Sequence, residues 1–223
     1  VIDLVICMPG NADNDAFDVA RDIKGKFPNI HCVVLTPFSH GITKRMQNED
    51  LSIFDYVFCW LGNTNLILSI IKLIEDKMNL EHDIQEAGVQ MILLVEDSIR
   101  FYSSILPNLY NYILEQSKNF SQEALNRHAA TMRMRGRPKV VLARTYEEAQ
   151  KLYDKYSDNT LGVISDARFP LKSAAKAFGN EVMPEEKPKH RTDTFGREKC
   201  PDAGLQLFRY IRKNDPFVPF IIE

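Results

Sequence analysis

The sequence holds no apolar run approaching the roughly 20 residues that a membrane-spanning helix needs; stretches such as 66–71 are far shorter. No apolar segment behind a cationic start marks a secretory signal either, so the expected compartment is the cytosol. An excess of one charge is also missing. Against 28 Lys and Arg stand 30 Asp and Glu, a net charge of -2, which removes the cationic field that nucleic-acid or anionic-lipid binding draws on. Nucleic acid is therefore disfavoured as a partner, and no membrane partner is expected. Glycine and proline are scarce, 10 and 11 in 223 residues, which excludes collagen-like and low-complexity chains. Cys7, Cys32, Cys59 and Cys200 show no C-x-x-C spacing, and the five histidines show no H-x-x-x-H or H-E-x-x-H pattern, so a structural zinc site is not expected. The first three cysteines sit in apolar runs, where free thiols are usually reduced and buried.

What is present is 44% hydrophobic and 26% charged, enough apolar material for one or two cores. Short apolar runs take turns with amphipathic ones: 2–8, 15–27, 31–35, 44–50, 56–60 and 65–78. Such alternation implies parallel strands joined by crossover helices, because parallel neighbours cannot be linked by a tight hairpin. Asn63 or Thr64 can cap a helix whose apolar stripe is Leu66, Ile67, Ile70, Ile71 and Ile74. The polar stretch 79–88 is expected to close a first unit.

A second unit opens with the run 90–95, apolar throughout like a central parallel strand covered on both faces. From 98 to 135 the pattern is mostly helical, with Phe101, Ile105, Leu109 and Ile113 at helical spacing and Pro107 expected near a first turn or at a kink. A strand at 139–142, a helix at 146–156 capped by Thr145, and a strand at 161–164 follow. A long polar stretch, 172–201, precedes a helix at 203–213 and a strand at 218–222. The fold class expected is α/β with doubly wound parallel sheets in two units, 1–85 and 89–223. The second unit carries a helical insert at 98–136 and a loop insert at 171–202.

In open parallel sheets ligands gather at the carboxyl ends of the strands. Two strand ends here are acidic. ILLVEDS delivers Glu96 and Asp97, and LGVISDARFP delivers Asp166 with Pro170 four positions on. If the two strands are neighbours, three carboxylates converge. Each raises the pKa of the others, and a hard divalent cation with oxygen ligands, Mg²⁺ above all, resolves the conflict. The alternative at these positions is a set of solvated strand-end carboxylates.

This pattern resembles the receiver domain of two-component response regulators, in the flavodoxin-like, chemotaxis-type form. The resemblance implies that Glu96 and Asp97 orient Mg²⁺, that Asp166 is the phosphoacceptor, and that the Arg168 backbone carbonyl completes the protein ligands. It further implies a cytoplasmic bacterial phosphorelay, with a histidine kinase or other phosphodonor upstream and an output or neighbouring domain as partner. The first unit resembles the later part of the same fold, but Cys7 and Met8 stand where an aspartate would be. Thr36 matches the switch hydroxyl, and Cys59 replaces the lysine that clamps phosphate, so this unit is expected to be a silent pseudo-receiver. The second unit lacks a placeable switch hydroxyl and lysine, and the sequence reaches residue 223 where a fourth strand ends, which suggests a fragment of something longer or a permuted sheet. The style of ILLVEDSIRFYSSILPNLY and RMRGRPKVVLA is similar to the amino-terminal regulatory part of bacterial phosphoenolpyruvate synthase-like (PEP/pyruvate-binding) proteins.

Other features receive plainer readings. Asp13 and Asp15 suit a turn or N-cap role, and Trp60 suits packing or an interface. Arg133, Arg135, Arg137 and Lys139 form a basic run, read as a solvated or acid-facing surface rather than a phosphate-binding one. The long helical insert is expected to make a homodimer or domain contact. The functional expectation is a phosphoryl-accepting regulatory module; the alternatives are a non-phosphorylated docking scaffold and a metal-dependent phosphatase, for which no general acid can be placed near Asp166.

Overall fold

A computed structural model describes residues 2–9, 15–37, 53–172, 192–193 and 196–223. The helix expected at 44–50 and the acid Asp13 lie outside them. The chain is α/β with mostly parallel sheets. It divides into two compact units, Val1–Glu75 with Ile99–Tyr112, and Asp76–Ser98 with Ile113–Glu223.

In the first unit β1 (Leu4–Cys7), β2 (His31–Thr36) and β3 (Tyr56–Cys59) form a parallel sheet in that order. The crossover from β1 to β2 is α1 (Ala16–Lys26), whose Phe17 and Ala20 are buried; Phe17 meets Phe54 edge to face at 5.5 Å. Asp15 is the N-cap residue of α1 but makes no capping hydrogen bond through its side chain. After β3, Asn63 accepts the Asn65 N–H at 3.0 Å and opens α2 (Asn65–Ala87). Its buried face is Leu66, Ile70, Leu73 and Ile74, while Ile71 is exposed. The stretch 79–88 does not break the helix, which runs to Ala87 and ends at Gly88, a residue in the left-handed region (φ 60°) that favours glycine.

The second unit begins its sheet with β4 (Met91–Val95), which lies between β5 (Lys139–Ala143) and β6 (Thr160–Ser165). The short β9 (Phe220–Ile222) adds to β6, giving the parallel order β5-β4-β6-β9. Flanked on both sides, β4 is buried at nearly every position, as its unbroken apolar run demands. In sequence between β4 and β5 come α3 (Ile99–Gln122), whose stretch Ile99–Tyr112 belongs to the first unit, and α4 (Arg127–Arg135), the latter capped by Asn126 Oδ1 accepting from the Ala129 N–H at 2.8 Å. Pro107 lies in the interior of α3, beyond its first turn. The buried stripe of α3 is Tyr102, Leu106, Tyr110 and Ile113, one position round from the Phe101–Ile105–Leu109 line that spacing alone suggests, and Phe101 is exposed. The tyrosines win because a ring that keeps a partner for its hydroxyl can be buried whole; Tyr102 donates to the Val57 carbonyl and its ring meets Phe58 at 5.4 Å.

Helix α5 (Tyr146–Tyr156) starts where expected, with Thr145 Oγ1 accepting the Glu148 N–H and the Glu148 carboxylate accepting the Arg144 N–H. It packs Ala149 and Tyr153 into a core with Leu93, Val95, Val163, Leu207 and Ile211, the last two from α6 (Ala203–Asn214). A two-stranded antiparallel ribbon, β7 (Phe169–Pro170) with β8 (Lys199–Cys200), precedes α6.

The basic run near residue 135 is not a surface patch. Arg137 and Lys139 are buried: Arg137 donates to both oxygens of Asp76 at 3.0 and 2.6 Å, and Lys139 pairs with Asp83 at 2.6 Å. Arg133 lies over the Phe120 ring at 4.2 Å, and Arg135 is exposed. Charge counting along the chain cannot show that half of these cations are consumed by carboxylates some 60 positions earlier. No helix among the described residues is long and apolar enough to cross a membrane.

Candidate functional site

Parallel pairing of β4 with β6 sets Val95 opposite Ser165, so the residues that follow emerge side by side. Both are still held by the ladder: the Glu96 N–H donates to Ala143 O at 3.0 Å, and the Asp166 N–H donates to Val95 O at 2.9 Å. Glu96, Asp97 and Asp166 each bring a carboxylate oxygen to within 4.8 Å of the other two. Glu96 is 4% exposed, Asp97 is fully buried, and Asp166 is half-buried at the mouth.

Burial dominates the electrostatics. It pushes the Glu96 carboxyl up to about 8, against one Ser98 N–H that holds the charged form and with Asp166 and Asp97 adding repulsion. Asp97 is pushed to about 6 by the same desolvation, moderated by Lys199. Lys199 donates to Asp97 Oδ1 at 2.9 Å and lies at an ion-pair distance of 2.8 Å from Oδ2, a buried oxygen that accepts no hydrogen bond among the described residues. Among the described residues that oxygen meets only the lysine ammonium, as an ion pair, and two more carboxylates stand beside it, a set of oxygens that suits a hard cation.

The lysine is delivered by the ribbon. Lys199 stands opposite Pro170 on β7, and Cys200 opposite Phe169. Ahead of β8 the N–H of Gly196 (φ 72°) donates to Asp193 O, and buried Asp193 accepts from the Arg197 backbone N–H at 2.7 Å and its Nε at 2.6 Å. On the other side of Asp166, the Gly204 N–H donates to Ala167 O at 3.1 Å, and a Cβ at Gly204 would stand 2.4 Å from the Asp166 carbonyl oxygen. Only glycine lets α6 approach the acid-bearing turn this closely. Sequence reasoning did not place Lys199 or Gly204. Lys199 is 102 positions from Asp97 in a stretch without periodicity, whereas a glycine in the first turn of an expected helix was a signal that could have been read.

Of the remaining expected site residues, Arg168 is exposed in the turn after β6 and Pro170 is buried on β7. In the first unit Thr36 and Cys59 are register partners at the ends of β2 and β3, both fully buried. The Cys59 N–H donates to Ser103 Oγ at 2.9 Å. Burial pushes the thiols of Cys7, Cys32 and Cys59 up, so they stay protonated and uncharged. No protein-family model matches the chain, and no curated protein matches it.

Proposed function

We propose that the second unit is a receiver-like, phosphoryl-accepting signalling module of flavodoxin-like topology, with Asp166 as nucleophile and Mg²⁺ as cofactor, and that the first unit is its silent counterpart. The supporting observation is the convergence of Glu96, Asp97 and Asp166 within 4.8 Å at the carboxyl ends of adjacent parallel strands. The strand order β5-β4-β6-β9 puts the first strand of the unit between its second and third, with the fourth outside, which is the doubly wound order that makes a crevice at those ends.

Glu96, Asp97, Asp166 and the Arg168 carbonyl would hold the ion, whose charge offsets repulsion between an anionic nucleophile and an anionic phosphoryl group. Asp166 is the more open of the three acids, so its free oxygen can approach phosphorus in line while the bond to the donor's leaving group breaks. Glu96 and Asp97, held deeper, remain ligands rather than acceptors. The phosphodonor is a histidine kinase or a small acyl phosphate, and the modified module biases an output domain or a second copy through the helical insert.

Incubation with Mg²⁺ and acetyl phosphate should add the mass of one phosphoryl group, and Asp166→Asn should abolish the addition. Absence of the addition in the wild type, with Mg²⁺ bound, would overturn the proposal. One observation favours a docking scaffold instead: Lys199 already neutralises Asp97 and burial keeps Glu96 protonated at neutral pH, so the cluster is tolerable without metal.

A further inference from the structure

Lys199 occupies the neighbourhood a divalent ion would need. Its ammonium sits within 2.9 Å of both oxygens of Asp97, and the one without a hydrogen bond, Oδ2, is the oxygen a cation would take. The lysine is not a loose surface side chain. Its backbone is paired to Pro170 on β7, and ahead of β8 Asp193 binds the Arg197 backbone and side chain. A dication coordinated by Oδ2 would share that oxygen with the ammonium, which lies 2.8 Å from it, so the two cations would stand within about 5 Å of each other. At such a separation repulsion between the cations is strong even at a protein-like dielectric. The lysine side chain retains some exposure, 20%, so water is open to it as an exit.

Resting on the cation-binding part of the function proposed above, we infer that Lys199 is a tethered competitor of Mg²⁺. It holds Asp97 in the ion-free protein, lowers the affinity of the site for divalent ions, and is released toward solvent when one binds. The site is thereby coupled to the β7–β8 ribbon, because the group displaced on ion binding is carried by β8.

Two measurements on the full 223-residue chain decide this. Isothermal titration calorimetry with MgCl₂ should show Lys199→Gln binding about tenfold more tightly than the wild type, because the repulsion between the two cations is removed, and Lys199→Arg, which keeps the charge, remaining close to the wild type. Acetylation by acetic anhydride, followed by mass spectrometry, should proceed several-fold faster at Lys199 when Mg²⁺ is present, while the exposed Lys151 reacts at one rate throughout. Equal Mg²⁺ affinities for wild type and Lys199→Gln, or Lys199 acetylation indifferent to Mg²⁺, would overturn the competition and leave phosphoryl acceptance by Asp166 standing. Failure of phosphoryl labelling alongside the expected lysine results would remove the signalling role and leave the competition standing. No Mg²⁺ binding in either protein overturns the competition and the cation site together. If Lys199→Gln does not fold, the acetylation comparison decides on the wild type alone.

Discussion

The first unit closes its parallel strands with Cys7, Thr36 and Cys59, buried and uncharged, whereas the second closes β4 and β6 with Glu96, Asp97 and Asp166. At the opposite, amino-terminal ends the units agree. In the first, Asp55 accepts from Lys24, from the Cys32 backbone N–H at 3.1 Å, and pairs with His31 at 2.9 Å. In the second, Asp76 accepts from Arg137 twice and from the Val140 backbone N–H at 3.0 Å. Each sheet therefore has a carboxylate that fastens the start of a strand and accepts from several donors. Among the described residues, the second unit adds at its other end a cluster of three carboxylates, two of them buried. A parallel sheet provides a place at its carboxyl ends, but residue type decides whether that place is chemical or merely packed.

The comparison can be broken by removing acids from either end. The largest effect is expected for Asp76→Ala, which strands the buried Arg137 and should cost about 3–5 kcal/mol in urea unfolding. The partly exposed Asp55→Ala should cost less, about 1–2 kcal/mol. Equal losses would mean that the two strand-start carboxylates are not graded by burial as described.

The site acids should behave in the opposite sense. Glu96 and Asp97 have folded-state pKa values raised to about 8 and about 6. Their contribution to stability is complete below the ordinary carboxyl range and is lost as pH rises through about 6 and then about 8. In chelator, unfolding free energy should fall across that window. In Glu96→Gln the fall should shrink, leaving that variant about 2 kcal/mol more stable than the wild type above pH 8. A wild-type stability that rises between pH 5 and 8 would contradict the burial of these groups. Smallest of all should be Met8→Asp, which puts an acid just past β1 at an exposed position. It should change stability by less than about 0.5 kcal/mol and confer no phosphoryl labelling in an Asp166→Asn background. Labelling there would show that the first unit needs only an acid to become active.

Much of this was readable in the chain because it depends on local pattern and strand adjacency. The alternating runs mark strands and helices, Thr145 marks the start of α5, and two acidic strand ends meet once β4 and β6 are neighbours. The unreadable parts depend on which distant groups share a burial site. Nothing near Asp97 announces Lys199, and nothing in the run ending at Lys139 announces that Asp76 and Asp83 absorb its cations. Periodicity likewise fixed α3 as a helix without fixing its inward face, since two adjacent stripes are both apolar and only tertiary packing chooses the one bearing Tyr102 and Tyr110.

Of the four thiols, Cys7, Cys32 and Cys59 are buried, while Cys200 reaches solvent and directly follows Lys199. The wild-type chain thus comes with its own attachment point: a maleimide fluorophore would be directed by access to Cys200, next door to the acidic crevice, at a rate slowed because partial burial and the hydrogen bond to Asp202 push that thiol up as well. Its emission would give a continuous optical record of events at the ribbon in real time.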